Sequence, residues 1–143
     1  MSLEDRIRRL EDIEEIRLVL IAYGKTLDAH DFEGYSRLFA RDGTWTGGFG
    51  SATGPAGIKA MLDNSIGAAG LPSGSHHLMT SMAIEPDGDQ AKAWSRWSFV
   101  VAGEDGKPVT LYAGQYDDVL VREDGHWRFQ TRTVTGDLPR PTQ

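Results

Sequence analysis

The spacing of turns in the second half of the chain constrains its fold more than any other feature. Four runs rich in aromatic and β-branched residues, 76–85, 90–102, 109–122 and 126–136, are separated by Pro86-Asp87-Gly88-Asp89, by residues 104–108 and by Glu123-Asp124-Gly125. Aromatic and β-branched side chains suit a pleated, half-buried backbone, whereas Gly, Asp and Pro between them favour turns. Connections this short join antiparallel neighbours, because a parallel crossover needs about a dozen residues or more. The second half is therefore predicted to be an antiparallel meander.

The first half has a different period. Ile13, Ile16, Leu20, Tyr23 and Leu27 recur at helical spacing, and residues 18–22 are apolar all round, which predicts burial on more than one side. Ser2 with Asp5, and Asp12 with Glu15, both have the spacing of a capping box, so a short helix and then a central one are expected. Asp31 or Asp28 is placed to cap a further short helix through Phe39, with Tyr35, Leu38 and Phe39 inward. Asp42-Gly43 predicts a turn into an extended segment around Trp45. Pro55 opens a helix carrying Ile58, Met61, Leu62 and Ile66, and residues 67–75 read as a loop. Helices followed by a meander define an α+β fold in which a curved, mostly antiparallel sheet curls around the helices. With 143 residues, 39% of them hydrophobic, and no repeat or linker, a single domain over 1–143 with a core and an enclosed pocket is expected.

Composition narrows the function. The net charge is −6 with acids and bases interspersed, which disfavours nucleic acid and anionic membrane as partners. The chain has no cysteine, so disulfides, thiolate metal sites and cysteine nucleophiles are excluded. No long apolar run or signal peptide is present, and a cytoplasmic location follows as the expectation. Nucleotide-binding glycine loops, H-E-x-x-H, an EF-hand loop and a G-x-S-x-G elbow are all missing, and the four histidines lack metal-ligand spacing. Neither a cofactor nor a metal is expected.

Strand alternation decides which side chains can meet. His76 and His77 point to opposite faces, with His77 accompanied by Met79, Ser81 and Ala83. Tyr112, Gly114, Tyr116, Asp118 and Leu120 share one face, and Arg128, Gln130, Arg132 and Val134 share another. Alternation leaves open which faces are interior. On the central helix, Ile21, Gly24 and Asp28 lie on one face, and a glycine inside a helix costs about 1 kcal/mol relative to alanine. Something approaches the backbone at Gly24, either a packed neighbour or a ligand. Each polar candidate has a plain structural alternative. Asp28 could be a cap, His77 a packed histidine, Arg132 a partner for Asp118, and Tyr23 and Tyr116 core residues with bonded hydroxyls. Trp94, Trp97 and Trp127 suit the core or an oligomer interface.

Taken together, an acid at the end of a long helix (Asp28), a histidine opening the sheet (His77), a G-x-Y-x-D strand (Gly114, Tyr116, Asp118) and D-G-x-W-x-F (Asp124, Gly125, Trp127, Phe129) resemble the SnoaL-like group of the nuclear transport factor 2-like superfamily. The resemblance runs from about residue 10 to residue 134. It implies a cone-shaped α+β barrel, no cofactor, a small hydrophobic substrate and a homo-oligomer, trimer or dimer. Within the group the chain resembles by motif scytalone dehydratase and the lindane dehydrochlorinase, which eliminate a small leaving group with an Asp/His pair. Asp28 in LDAHDF and His77 in HHLMTS match that pair, and Arg132 in WRFQTR matches a pocket arginine. Val101 and Ala102 stand where the dehydratase has a second histidine, Gly114 and Tyr116 where it has serine and asparagine. Tyr23 stands where the dehydrochlorinase has a basic or amide residue. Neither scytalone nor a halogenated compound is therefore implied as substrate.

The pairing has a chemical rationale. A neutral imidazole, with an ordinary pKa near 6.5, accepts a proton from carbon, and a carboxylate on its other nitrogen fixes the tautomer and stabilises the imidazolium. His77 would be the base and Asp28 its orienter, with Tyr23, Tyr116 or Arg132 donating to the substrate or departing anion. The functions left open are a dehydratase-like lyase on a small cyclic or aromatic substrate, an isomerase or polyketide cyclase using the same dyad, and a non-catalytic binding or assembly protein.

Overall fold

The computed structural model describes residues 1–141. Its first element is one uninterrupted helix, α1 (Leu3–Asp28), rather than the two expected. Ser2 and Asp5 do form the predicted capping box. At Asp12 no second start occurs, because its carboxylate is used across the fold. The Asp12 Oδ1 accepts Arg122 Nη2 at 2.6 Å and Trp127 Nε1 at 3.1 Å. An oxygen engaged there cannot compete for the helix's own N–H groups, so the helix runs through.

Asp31 rather than Asp28 caps α2 (Phe32–Ser36), accepting the Gly34 N–H at 2.9 Å. Phe39, expected on that helix, instead opens β1 (Phe39–Gly47). Asp42-Gly43 lies within β1 at an irregularity and is not a turn, since Gly43 packs so close to Phe129 that an added Cβ would sit 2.6 Å from its carbonyl oxygen. The turn falls later and leads to β2 (Gly50–Thr53). Pro55 stands in the first turn of α3 (Gly54–Leu62) as predicted, and a π-helical turn over Asp63–Gly67 extends it, so part of the expected loop is helical.

The four predicted strands are present as β3 (His76–Asp87), β4 (Gln90–Ala102), β5 (Pro108–Glu123) and β6 (His126–Leu138), a consecutive antiparallel meander. The sheet is six-stranded, ordered β2-β1-β6-β5-β4-β3, and mixed, because β1 runs parallel to β6. It is curved and does not close. The helices pack on its inner face, with Ile16, Leu20, Tyr23 and Leu27 of α1 meeting Tyr35, Phe39, Leu120 and Phe129 in one core. Leu18 and Ile21 remain 54% and 40% exposed, so the all-round burial expected of that stretch is absent.

Two irregularities decide which strand residues face inward. In β3 the register slips between Thr80 and Ala83, where Ser81 has a positive φ of 54°. One inserted residue reverses the alternation, so His77 and Met79 are followed inward by Met82 and Ile84, and not by Ser81 and Ala83. In β6, Phe129 pairs with Leu120 and Thr131 with Val119, leaving Gln130 unmatched. The inward set therefore passes from Trp127 and Phe129 to Arg132 and Val134. Arg128 and Gln130, expected on the face of Arg132, do not share it.

Candidate active site

Asp28 ends α1 and His77 is the second residue of β3, so the dyad is built where the helix leaves the sheet's concave face. A backbone clamp holds it. The His77 N–H donates to both carboxylate oxygens of Asp28 at 3.1 Å, and His77 Nδ1 lies 2.6 Å from Asp28 Oδ1. The strand backbone thus fixes the acid that in turn fixes the ring. With Nδ1–H donating to the carboxylate, Nε2 is left as the acceptor nitrogen. The imidazole also packs on its cross-strand partner Phe99, with ring centroids 4.7 Å apart. The side chains of His77 and Asp28 are 12% and 23% exposed.

His77 forms part of the wall of an open-edged cavity of about 340 Å³ between α1, α3 and the sheet. Tyr23, Leu27, Trp45, Trp97 and Tyr116 also line it, and Phe49 and Tyr112 stand at its exposed edge. The surroundings are almost wholly apolar, so the few hydroxyls and the imidazole dominate recognition. Tyr23 Oη accepts the Trp45 Nε1–H at 2.9 Å. Burial pushes the phenols of Tyr23, Tyr35 and Tyr116 above their ordinary range, and the nearby guanidinium of Arg132 pulls against that rise. All three therefore stay protonated at neutral pH.

Arg132 does not reach the wall. It lies behind Tyr23 and Tyr116, donating from Nε and Nη2 to the two carboxylate oxygens of Asp118 at 2.8 and 3.1 Å. Both side chains are completely buried. Burial works against the charge on Arg132, but Asp118 and the adjacent tyrosines hold its pKa above the ordinary value. Burial likewise raises the Asp118 carboxyl, against the pull of Arg132. The structural partnership with Asp118 considered from the sequence is thus present.

Gly24 is explained by a neighbour, since a Cβ there would lie 2.7 Å from Met79 Cε. Trp97 and Phe99 were not among the residues singled out for the site. They follow His77 in register on the adjoining strand, where His77 pairs with Phe99 and Met79 with Trp97. Their two-residue alternation was legible, but nothing in it says that this face is concave. Gly114, opposite Trp97, seats the indole, because an added Cβ would be 2.8 Å from the ring. Among the described residues no group of three or more acidic or histidine side chains could hold a metal ion, and no helix is long and apolar enough to cross a membrane.

The helix-filled open sheet and the pocket on its concave side define a SnoaL-like domain. The chain belongs to that family, whose model matches residues 8–133. Among solved structures, an NTF2-like protein with a cystatin-like fold from Novosphingobium aromaticivorans is 28% identical, with a TM-score of 0.86 over 96% of this chain and 90% of that one. A point variant of Rv3472, a protein of unknown function from Mycobacterium tuberculosis, is 27% identical, with a TM-score of 0.82 over 96% of this chain and 77% of that one. LinA, 19% identical with a TM-score of 0.80 over 92% of this chain and 90% of that one, shares the fold. No curated protein matches the chain. The family and fold expected from the resemblance are therefore those found.

Proposed function

We propose that the protein is a cofactor-independent lyase acting on a small cyclic or aromatic hydrophobic substrate, with His77 as general base and Asp28 as its orienter. The observation that carries this reading is the 2.6 Å contact between His77 Nδ1 and Asp28 Oδ1 beside an apolar cavity of about 340 Å³. Cavities from about 300 Å³ upward accommodate small organic ligands. His77 Nε2 takes a proton from the carbon next to a carbonyl. The C–H electron pair is first held as an enolate on the carbonyl oxygen. Its return forms the new double bond and expels a hydroxyl on the neighbouring carbon with its own pair, and the His77 imidazolium gives its proton to that hydroxide, which leaves as water. Asp28 stabilises the transient imidazolium, and the Tyr23 and Tyr116 hydroxyls donate to the substrate's oxygens. The apolar wall keeps bulk water from competing for these contacts.

The same dyad supports isomerisation or cyclisation, which share the first proton transfer. One- and two-ring β-hydroxyketones incubated with the protein in deuterated water separate these readings. Loss of water seen by mass spectrometry supports the lyase, whereas exchange at carbon without elimination overturns it in favour of the isomerase. His77→Ala should reduce turnover to background. Asp28→Asn should lower it by about a hundredfold or more with little loss of fold, as removal of an orienting carboxylate does elsewhere. Near-wild-type rates in either variant would refute the assignment.

A further inference from the structure

The Arg132–Asp118 pair is unusual in where its cation sits. The guanidinium carbon of Arg132 lies 3.6 Å from the ring centroid of Tyr116, 4.0 Å from that of Tyr23 and 4.4 Å from that of Phe129. Tyr116 and Tyr23 line the cavity on their far side, and Arg132 itself does not. Its Nη1 is buried with no hydrogen-bond partner among the described residues. Stability is a poor explanation for such an arrangement, because replacing a buried ion pair by apolar side chains of similar volume is often neutral or favourable. A cation over the face of a phenol withdraws electron density from the ring and strengthens its O–H as a donor.

We infer that Arg132 is a positioning residue acting through the faces of Tyr23 and Tyr116, turning both hydroxyls into strong donors toward a substrate oxygen that gains negative charge. This inference rests on the lyase reading and narrows its substrate to an enolisable ketone, whose carbonyl oxygen becomes an enolate as His77 takes the neighbouring proton. Asp118 keeps the guanidinium in place from the side away from the cavity. The ketone oxygen sits against the two phenols, and the leaving group faces the open edge of the cavity.

The test reads the phenols directly and needs no substrate. Protein labelled with 3,5-difluorotyrosine, whose phenol ionises well below that of tyrosine, is titrated by fluorine NMR, with the Tyr116 signal assigned by Tyr116→Phe. The charged or titratable groups facing Tyr116 are Tyr23 and Asp28 on α1, Tyr35 on α2, Asp118 on its own strand and Arg132 on β6. Removing the cation alone would strand Asp118, so the main variant is Arg132→Leu with Asp118→Leu, and Arg132→Lys keeps the charge. The double variant should raise the apparent pKa of Tyr116 by at least about one unit, a tenfold loss of acidity. Arg132→Lys should recover most of it. An unchanged or lower value in a folded double variant overturns the inference, whatever the outcome of the turnover assays. Conversely, a shifted phenol with no turnover on any hydroxyketone would leave the electrostatic role intact and remove the lyase reading.

Discussion

At the scale of single residues, the decisive contacts join positions far apart in sequence. Asp12 is the clearest case. Its spacing to Glu15 reads as a helix start, yet it is a buried acceptor for Arg122 and Trp127, with Arg122 also stacked 4.7 Å over the Trp127 ring. Asp12→Ala should destabilise the fold by about 2 kcal/mol, the scale of a charged hydrogen bond lost with its partners left unpaired. Urea denaturation followed by Trp fluorescence would measure it, and a change under about 0.5 kcal/mol, the range of ordinary surface substitutions, would contradict the role assigned to Asp12. For Arg132 and Asp118, removing one partner should cost about 3 to 5 kcal/mol, because the other is left as an uncompensated buried charge. The paired leucine replacement should cost less than either single change, a non-additivity that a double-mutant cycle reads directly.

At the scale of elements, the four strands of the meander were legible and their faces only partly so, while β2 was not. Period-two alternation correctly groups His77 with Met79, and Gly114 with Tyr116, Asp118 and Leu120. It fails at Ser81 and at Gln130, where one extra residue in a strand shifts every later side chain to the other face. Neither position announces itself, since serine and glutamine are ordinary strand residues. The parallel pairing of β1 with β6 is equally hidden, because it joins strands separated by most of the chain. Gly114 has a definite task within this lattice. An added Cβ would lie 1.9 Å from the Thr135 carbonyl oxygen as well as against Trp97. Gly114→Ala should therefore cost about 3 kcal/mol or more, the upper end for overpacking, since the β5–β6 backbones must separate. A circular dichroism melt of this variant indistinguishable from wild type would show that the strands yield more easily than these distances imply.

At the scale of the whole molecule, the core and the cavity are one aromatic assembly. Tyr23 touches Tyr35, Tyr116 and Phe129 with ring centroids 4.6, 5.4 and 5.9 Å away. Three of its phenols have pKa values raised above the ordinary 10 by burial. The folded state thus retains phenolic protons that the unfolded chain releases first. The stability this represents is fully present below pH 10 and is lost as pH rises beyond it, at up to about 1.4 kcal/mol per pH unit for each retained proton. Urea midpoints should be insensitive to these groups near neutrality and fall steeply above pH 10. In Tyr35→Phe that alkaline slope should be shallower, and an unchanged slope would mean that the buried phenols do not govern it.

What the sequence determined by itself was whatever depends on neighbours along the chain. Helical period, the Ser2–Asp5 cap, Pro55 at a helix start and short Gly/Asp turns specify the start and middle of α1, the start of α3 and the four-stranded meander, because the forces involved act within a few residues. The Asp28–His77 pairing was legible only through resemblance to a family, since nothing local links residues on a helix and a strand so far apart. Tertiary structure alone decided the rest. Strand slips set which faces look inward, the curvature of the sheet converted one of those faces into a cavity wall, and the long-range pairing of Arg132 with Asp118 placed a cation behind that wall. The physical reason is that burial and electrostatics depend on distance in space, which the order of residues along a chain does not contain.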